Sequence, residues 1–142
     1  MVPESRTDAP KAPHSGRGIW IENGVMYVAG EEFIERVASA LASITRLRIL
    51  GLTMKEDMGI EELAEKLKQS KANISTHVKR LEEANLVKPS YVPGHRGIKK
   101  IAKPVVREVR ILLYSLAEEV EQRIKESPIP PEEVSSERSS WV

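Results

Sequence analysis

The amino-acid sequence predicts a mostly α-helical fold with a small β-hairpin wing, and three observations carry this prediction. Four short segments between residues 31 and 84 repeat apolar residues with the helical period of about 3.6. Two apolar-rich runs then flank a Pro-Gly-His-Arg-Gly stretch, which is typical of a hairpin turn. The chain has 142 residues and therefore has room for one ordinary domain with tails.

Composition favours a folded chain and excludes several kinds of site. Hydrophobic residues make up 40% of the sequence and charged residues 30%, enough for a core and for solubility. Cysteine is absent, which excludes disulfides, thiolate metal sites and a cysteine nucleophile. The acidic residues are almost all glutamate, a thermophile-like bias. Since no apolar run approaches the ~18 residues of a membrane span, we expect a soluble intracellular protein with no membrane partner.

The ends of the chain differ from its middle. Residues 1–18 and 127–142 mix proline, serine, glycine and charge without periodicity, and we expect both to be flexible tails. Residues 19–30 hold an Asn23–Gly24 pair between two apolar runs. Both residues tolerate positive φ, as a type I′ turn requires, so this segment is expected to be a β-hairpin.

Four helices are expected between the first hairpin and residue 84. Thr45 is a suitable cap for the second helix and Ser70 for the fourth. Only a few residues separate the third and fourth helices, so these two must turn sharply against each other. The apolar residues that share a face are Phe33, Ile34, Val37, Ala38 and Leu41 in the first helix, Ile60, Leu63, Ala64 and Leu67 in the third, and Ile74, Val78 and Leu81 in the fourth.

A helix stop, a hairpin and one long helix are expected after residue 84. Asn85 tolerates the left-handed conformation that commonly ends a helix. Residues 86–92 and 98–103 are expected to pair as the strands of the wing. Pro104 suits the first turn of a last helix over residues 105–126. The apolar stripe of this helix is too long for so small a core to cover, and a partner subunit would cover it.

Positive charge is concentrated in one part of the chain. The net charge of the whole is +1, yet residues 68–104 hold nine basic side chains against two acidic ones. Residues 31–67 and residues 105–142 each have five basic and eight acidic side chains. The excess therefore coincides with the fourth helix and the wing, which indicates contact with nucleic acid, the alternative being a merely solvated charged face.

Two segments resemble the ArsR-type winged helix-turn-helix transcriptional regulators. Residues 41–50, LASITRLRIL, are similar to the family's small-residue turn and its Thr-Arg-Leu-x-Ile-Leu helix. Residues 60–87, IEELAEKLKQSKANISTHVKRLEEANLV, are similar to its helix-turn-helix, with Asn85 where glycine is usual. The resemblance covers about residues 31–120. It implies a winged helix-turn-helix over residues 31–104 with N- and C-terminal dimerisation helices.

The resemblance implies a double-stranded DNA partner and a cytoplasmic, nucleoid-associated location. Helix 71–84 would enter the major groove, while wing 88–103 would lie on the flanking backbone or minor groove. Short polar side chains suit base edges, and Lys and Arg suit phosphates. His77 is expected to contact DNA more than to cover its own helix, while His95 is equally well an ordinary loop residue. The implied DNA-binding residues are Lys71, Asn73, Ser75, Thr76, His77, Lys79, Arg80, His95, Arg96, Lys99 and Lys100.

Three side chains outside that set have a structural interpretation. Arg46 and Arg48 are long enough to reach phosphate, but we expect one of them to brace the fold by pairing with a glutamate. Tyr91, in the first strand of the wing, is expected to pack rather than to contact DNA.

A homodimer is also implied by the resemblance. Two domains joined through helix 105–126, with help from the first helix, would read half-sites about one DNA turn apart, ~34–36 Å. The residues expected in the dimer interface are Phe33, Val37, Leu41, Val109, Leu112, Leu113, Leu116 and Val120.

The sequence predicts no metal site, no cofactor and no catalysis. The best-known members of the resembled family release DNA on binding metal through cysteines or through Asp, His and Glu sets on the last helix. Residues 105–126 contain neither His nor Asp, and Glu118, Glu119 and Glu121 alone are a solvated face. Three histidines and no glycine-rich phosphate loop supply no nucleophile–base set. No effector site is visible.

Two other functions stay open beside the specific regulator. An architectural protein that binds DNA with little sequence preference would also use a basic wing. A winged helix that serves as a protein-interaction module of the transcription apparatus would bind DNA weakly despite its charge. The ratio of specific to random DNA affinity separates these possibilities.

Overall fold

The computed structural model describes residues 16–126 and Ile129. A 3-10 turn, Leu113–Leu116, lies between the last strand and the last helix of this part of the chain. The elements follow in the order β1 (Gly18–Glu22), β2 (Val25–Ala29), α1 (Glu31–Leu41), α2 (Ile44–Lys55), α3 (Ile60–Leu67), α4 (Lys71–Glu83), β3 (Val87–Gly94), β4 (Gly97–Pro104), β5 (Glu108–Ile111) and α5 (Val120–Glu126). The fold is a winged helix-turn-helix with an added sheet.

Strands β1 and β2 form an antiparallel hairpin at the turn that the sequence indicates. Asn23 has φ 53° and Gly24 has φ 77°, the positive values that a type I′ turn needs. Strand β5 pairs in parallel with the other edge of β2, with Met26 opposite Val109. The predicted hairpin is therefore part of a three-stranded sheet with the order β1-β2-β5, and its third strand was not predicted from the sequence.

The prediction of one helix over residues 105–126 is wrong. This stretch forms β5, the 3-10 turn and the seven-residue α5. Val109 and Ile111 alternate with Glu108 and Arg110, so the segment satisfies the two-residue period of a strand as well as a helical pattern. The open edge of β2 decides between the two, since it supplies hydrogen-bond partners for a strand.

Ser115 fastens the turn after β5 to the beginning of α1. Its Oγ donates to the Leu112 carbonyl at 2.6 Å and accepts from the backbone N–H of Gly30 at 2.9 Å. Gly30 has φ 95°, and an added Cβ there would lie 2.8 Å from the Cβ of Arg17, so only glycine fits. The C-terminal part of the described chain thus packs against its own N-terminal half.

One hydrophobic core joins the helices, the sheet and the wing. Side chains from α1 to α4, among them Val37, Ile49, Leu63, Ile74 and Leu81, are fully buried in it. Val37 therefore has no surface to offer to a second copy, contrary to its expected place in the dimer interface, because its side of α1 faces the core.

Helix ends in the structure agree with two of the three predicted signals. Ser70 caps α4, and Asn85 follows that helix with φ 62°. The cap of α2 is Ser43 and not Thr45, because Ser43 has the extended backbone of a cap and its Oγ accepts from the Arg46 N–H at 3.2 Å.

Two features are absent from the described residues. No single helix there is long and apolar enough to cross a membrane, although α1 and α2, bent by 81°, would together pass in length and composition. Within the same residues, no group of three or more His, Asp or Glu side chains converges to hold a metal ion.

Candidate nucleic-acid interface

A three-residue turn sets α4 at a sharp angle to α3. Lys68 occupies the left-handed region with φ 56°, and its N–H and that of Gln69 bond to carbonyls at the end of α3. Ser70 then caps α4 by accepting the Asn73 N–H at 3.1 Å. The side of α4 that faces the core consists of Ile74, Val78 and Leu81, each at most 1% exposed.

The opposite side of α4 presents the side chains that the resemblance assigns to DNA. Lys79 and Arg80 are exposed, and neither has an acidic partner within residues 16–126, so both charges are available to a phosphate. His77 differs from the others because it is half-buried. The exposed residues of the predicted set on this helix are Lys71, Asn73, Ser75, Thr76, Lys79 and Arg80.

Asn73 and Thr76 are already engaged within the protein. The Asn73 Nδ2 donates to the Gln69 Oε1, and the Gln69 Nε2 donates to the Thr45 Oγ1 at 3.0 Å. This chain of bonds ties the beginning of α4 to the beginning of α2. The Thr76 Oγ1 donates to the Ala72 carbonyl at 3.1 Å. Gln69 was not among the residues predicted for this interface, since no spacing in the sequence gives a signal for it.

A buried arginine braces α4 from beneath. Arg46 is 8% exposed, and its Nε donates to the Ala40 carbonyl at 2.6 Å while its Nη2 donates to the Ser39 carbonyl at 3.2 Å. Its Nη1 lies 3.0 Å from the Nδ1 of His77. The expectation that Arg46 or Arg48 braces the fold holds for Arg46. The expected glutamate partner is wrong, because two backbone carbonyls at the end of α1 and an imidazole take that role.

This contact fixes the protonation state of His77. A guanidinium only donates hydrogen bonds, so the Nδ1 of His77 accepts and the ring is neutral. Burial, reinforced by the charges of Arg46 and Arg80, lowers the pKa of His77 below its ordinary value of 6.5. Below pH 6.5 the unfolded chain binds a proton at His77, whereas the folded chain does not. This group therefore lowers stability as the pH falls through 6.5.

The wing carries exposed side chains at its tip. Strands β3 and β4 pair antiparallel up to Gly94 and Gly97, and His95 and Arg96 lie exposed between these glycines. Arg96 has no acidic partner in the described part of the chain. Tyr91 is 64% exposed, so the expectation that it packs is wrong for the single subunit.

Ion pairs reduce the positive charge of residues 68–104. Four of the nine basic side chains in this range lie within 4 Å of a carboxylate, and three of those carboxylates belong to the acidic range 31–67. Lys99 and Lys100 are among the four, so their charges are shared with the protein itself. The pairs are Lys71–Glu61 at 3.4 Å, Lys99–Glu62 at 2.6 Å, Lys100–Glu82 at 3.2 Å and Lys103–Asp57 at 3.0 Å.

Glu62 anchors the wing to α3. Its Oε1 accepts from the Lys99 Nζ at 2.6 Å and from the Gly59 N–H at 2.8 Å, and these two hydrogen bonds lower the pKa of Glu62 below 4.5. Beside this contact, Gly59 also forms a backbone bridge to Ile101 of β4. The wing is therefore held at a fixed position relative to the helix-turn-helix.

The wing tip and the beginning of α4 face a common open space. A cleft of about 1210 Å³ separates them, with Ser70 and Lys71 on one wall and His95 and Arg96 on the other. The two elements are thus presented on one side of the molecule, as a duplex lying across both would require.

The residues predicted for a dimer interface fall into two groups. Leu113 is 67% exposed and Val120 43% exposed, so both have apolar surface to offer. Tyr114 and Ile124, which the prediction did not include, are similarly exposed at 67% and 60%. The remaining predicted residues apart from Val37 are half-buried, namely Phe33, Leu41, Val109, Leu112 and Leu116.

Residues 43–88 match the family described as bacterial regulatory protein, arsR family. The match covers α2, the helix-turn-helix and the first two residues of β3. The HTH-type transcriptional repressor GbsR of Bacillus subtilis (strain 168) is 43% identical to the chain over 47 residues. These residues are 33% of this chain and 24% of the repressor, so the similarity spans about a quarter of the repressor's length.

Two solved structures are similar to the chain at lower identity. One is the homodimeric winged helix-turn-helix DNA-binding domain of a possible ArsR-family transcriptional regulator from Mycobacterium bovis. It is 23% identical with a TM-score of 0.47, and the similarity covers 66% of this chain and 82% of that one. The other, NolR from Sinorhizobium fredii, is 24% identical with a TM-score of 0.46, covering 70% and 89%. The sequence match is confined to residues 43–88, the segment that holds the helix-turn-helix, and there the chain is similar to the arsR family of bacterial regulatory proteins.

Proposed function

We propose that this protein regulates transcription by binding double-stranded DNA, with α4 in the major groove and the wing beside it. The observation that carries the proposal is the pair Lys79 and Arg80, exposed without acidic partners on the outer face of a helix in the family-matched segment. Arg96 adds a third available charge at the wing tip. A DNA partner would place the protein at the nucleoid in the cytoplasm.

The roles proposed for individual residues follow from their present partners. Lys79, Arg80 and Arg96 would carry most of the phosphate binding, because nothing in the described chain neutralises them. Lys71, Lys99 and Lys100 would contribute less, since each must first give up a carboxylate. The polar group for base edges is Asn73, Ser75, Thr76 and His77, while His95 would lie close to the backbone at the wing tip.

A fluorescence-anisotropy titration at near-physiological salt tests this function. The DNA upstream of the protein's own gene is compared with a scrambled duplex of equal length. A preference of ~10³-fold or more would establish a specific regulator. Tight binding of both duplexes with equal affinity would contradict sequence-specific regulation and favour an architectural protein. Absence of binding to either would contradict a DNA-binding role and favour a protein-interaction module.

We also propose that the C-terminal part of the described chain joins two copies. Leu113, Tyr114, Val120 and Ile124 expose apolar side chains within twelve residues of one another, and an isolated monomer would leave this surface in water. A two-fold pair would present two α4 helices to half-sites about one DNA turn apart, ~34–36 Å. Phe33 and Leu41 are partly accessible on α1 and would lie at the rim.

Introducing a charge at this surface is expected to yield monomers. Leu113→Glu places a carboxylate at the apolar contact, where burial without a partner is costly. Light scattering should then give a mass near 15.9 kDa, against twice that mass for the unchanged protein. The matched control is Ile98→Glu on the wing, a side chain that is 78% exposed and should leave the dimer intact. A Leu113→Glu dimer would show that another surface joins the copies.

A further inference from the structure

We propose that Arg46 turns His77 into a fixed hydrogen-bond donor that reads DNA bases through its Nε2. The proposal deepens the proposed function and rests on it. It concerns specificity: Arg46 would be a positioning residue, and His77 would discriminate between base edges. The two roles follow from the opposite ends of one imidazole ring, of which only one end is occupied by the protein.

Arg46 is held firmly enough to impose a tautomer. Its guanidinium is buried and bonded to two carbonyls at the end of α1, those of Ser39 and Ala40. Its remaining arm, Nη1, meets the Nδ1 of His77 at 3.0 Å. Since this arm brings a hydrogen, the neutral ring must carry its own proton on Nε2.

The Nε2 end of the ring is accessible to solvent. Within residues 16–126 it has no hydrogen-bond partner, and it is not among the buried polar atoms left without one. Asn73 and Arg80, four residues before and three residues after His77, are both exposed and share its side of the helix. His77 is thus a half-buried residue at the border of the outer face of α4, and its one N–H is left for a ligand.

The ring is also kept in its neutral form. The charged groups that act on it, Arg46 from α2 and Arg80 from α4, are both positive and disfavour the imidazolium. A neutral ring with Nδ1 occupied can donate through Nε2 and cannot accept there. His77 is therefore a donor only, unlike Asn73, whose side-chain amide has both a donor and an acceptor.

A donor of this kind distinguishes bases by their major-groove acceptors. Guanine offers N7 and O6, adenine N7 and thymine O4, whereas cytosine presents only its N4 amino group. We expect one base pair in each half-site at which an acceptor must face His77. A cytosine edge at that position would be rejected, because two donors would then meet.

The tautomer is measured directly by ¹⁵N chemical shifts of the imidazole in the free protein. A neutral ring protonated at Nε2 at pH 7.5 is the expected result. A ring protonated at Nδ1 would overturn the proposal whatever the protein does with DNA.

The reading of bases is tested with two isosteric substitutions. In His77→Asn the side-chain oxygen takes the place of Nδ1, so Arg46 keeps its acceptor while the outward donor is lost. In His77→Gln an amide N–H reaches the place of Nε2. The probe is a duplex enriched by the unchanged protein from a pool with a randomised core, together with variants that exchange each base pair. His77→Asn should lose a discrimination of about fivefold or more at one base pair, and His77→Gln should retain part of it.

The outcomes separate this inference from the proposed function. A folded His77→Asn protein that keeps every base preference would overturn the inference and leave the proposed function intact. If the unchanged protein enriches no sequence, specific regulation fails and the inference fails with it, even with the Nε2 tautomer. Lys79→Ala is the matched control, since loss of a phosphate contact should weaken all duplexes by one factor and preserve the preferences.

Discussion

Replacing Lys79 and Arg80 together by alanine is expected to weaken binding to every duplex by about 60-fold at 0.1 M salt. Each phosphate contact releases counterions worth about 0.9 in the slope of log affinity against log salt, so two contacts give about 1.8. Over the tenfold change in salt from 1 M to 0.1 M, a difference of about 1.8 in slope gives a factor of about 60 in affinity. Both side chains are exposed without acidic partners, so their replacement breaks no ion pair within the described subunit.

A double variant elsewhere controls for the change in net charge. Lys55 ends α2 and Lys125 lies in α5, outside α4 and the wing, and both are exposed. Their replacement by alanine removes the same charge and should leave the salt slope nearly unchanged. Anisotropy titrations between 0.05 and about 0.3 M salt give both slopes within the range where the relation is linear. Equal slopes for the two double variants would refute the docking of α4.

Removing the brace beneath α4 is expected to have the largest effect on stability. Arg46→Ala should lower the free energy of unfolding by about 3 kcal/mol, since charge-assisted hydrogen bonds contribute about 1.5–3 kcal/mol. The Ala40 carbonyl loses its Arg46 partner, while the Ser39 carbonyl keeps the Ala42 N–H. The carbonyls concerned, of Ser39 and Ala40, close the end of α1 and are partly or fully shielded from water. His77 would lose its partner at the same time.

Arg48 is the matched control for this substitution. It lies on the same helix two residues later and is exposed, so Arg48→Ala should change the free energy of unfolding by less than about 0.5 kcal/mol. Urea unfolding followed by circular dichroism measures both variants. Similar losses for the two arginines would mean that helix propensity or charge, and not the buried bonds of Arg46, determines the result.

The sequence predicts the helical part of the fold well because its signals are local. The apolar residues of α1, α3 and α4 recur with a period that only a helix places on one face. Asn23, Gly24 and Asn85 each occupy the positive φ that their residue types tolerate best. These features need no knowledge of what lies elsewhere in the chain.

The C-terminal part could not be predicted because its partner is distant. Val109 and Ile111 fit a strand and a helix equally well by pattern, and the choice depends on an open edge of β2 about 80 residues earlier. A parallel pair has no tight turn to mark it. The break in the predicted helix at Ser115 likewise depends on a distant group, the N–H of Gly30.

The candidate site shows the same division between local and distant causes. The exposure of Lys79 and Arg80 follows from their helix face and is visible in the sequence. The engagement of Lys99 by Glu62 and of Lys71 by Glu61 is not, because charge counted by segment cannot show which acidic side chains fold against the basic ones. The contact of Arg46 with His77 also depends on how α2 packs against α4, which the sequence does not show.

The parallel pairing of β5 with β2 bears on the order in which the chain folds. The helices contact near neighbours and can assemble early, whereas a sheet that joins segments about 80 residues apart must wait for the loop between them to close. Until then the β1–β2 hairpin is a two-stranded ribbon, which is marginally stable in water. A protein truncated after Pro104 would leave this ribbon with an unpaired apolar edge, a template for strands of other chains. Residues 105–111 therefore act as a built-in protection against aggregation.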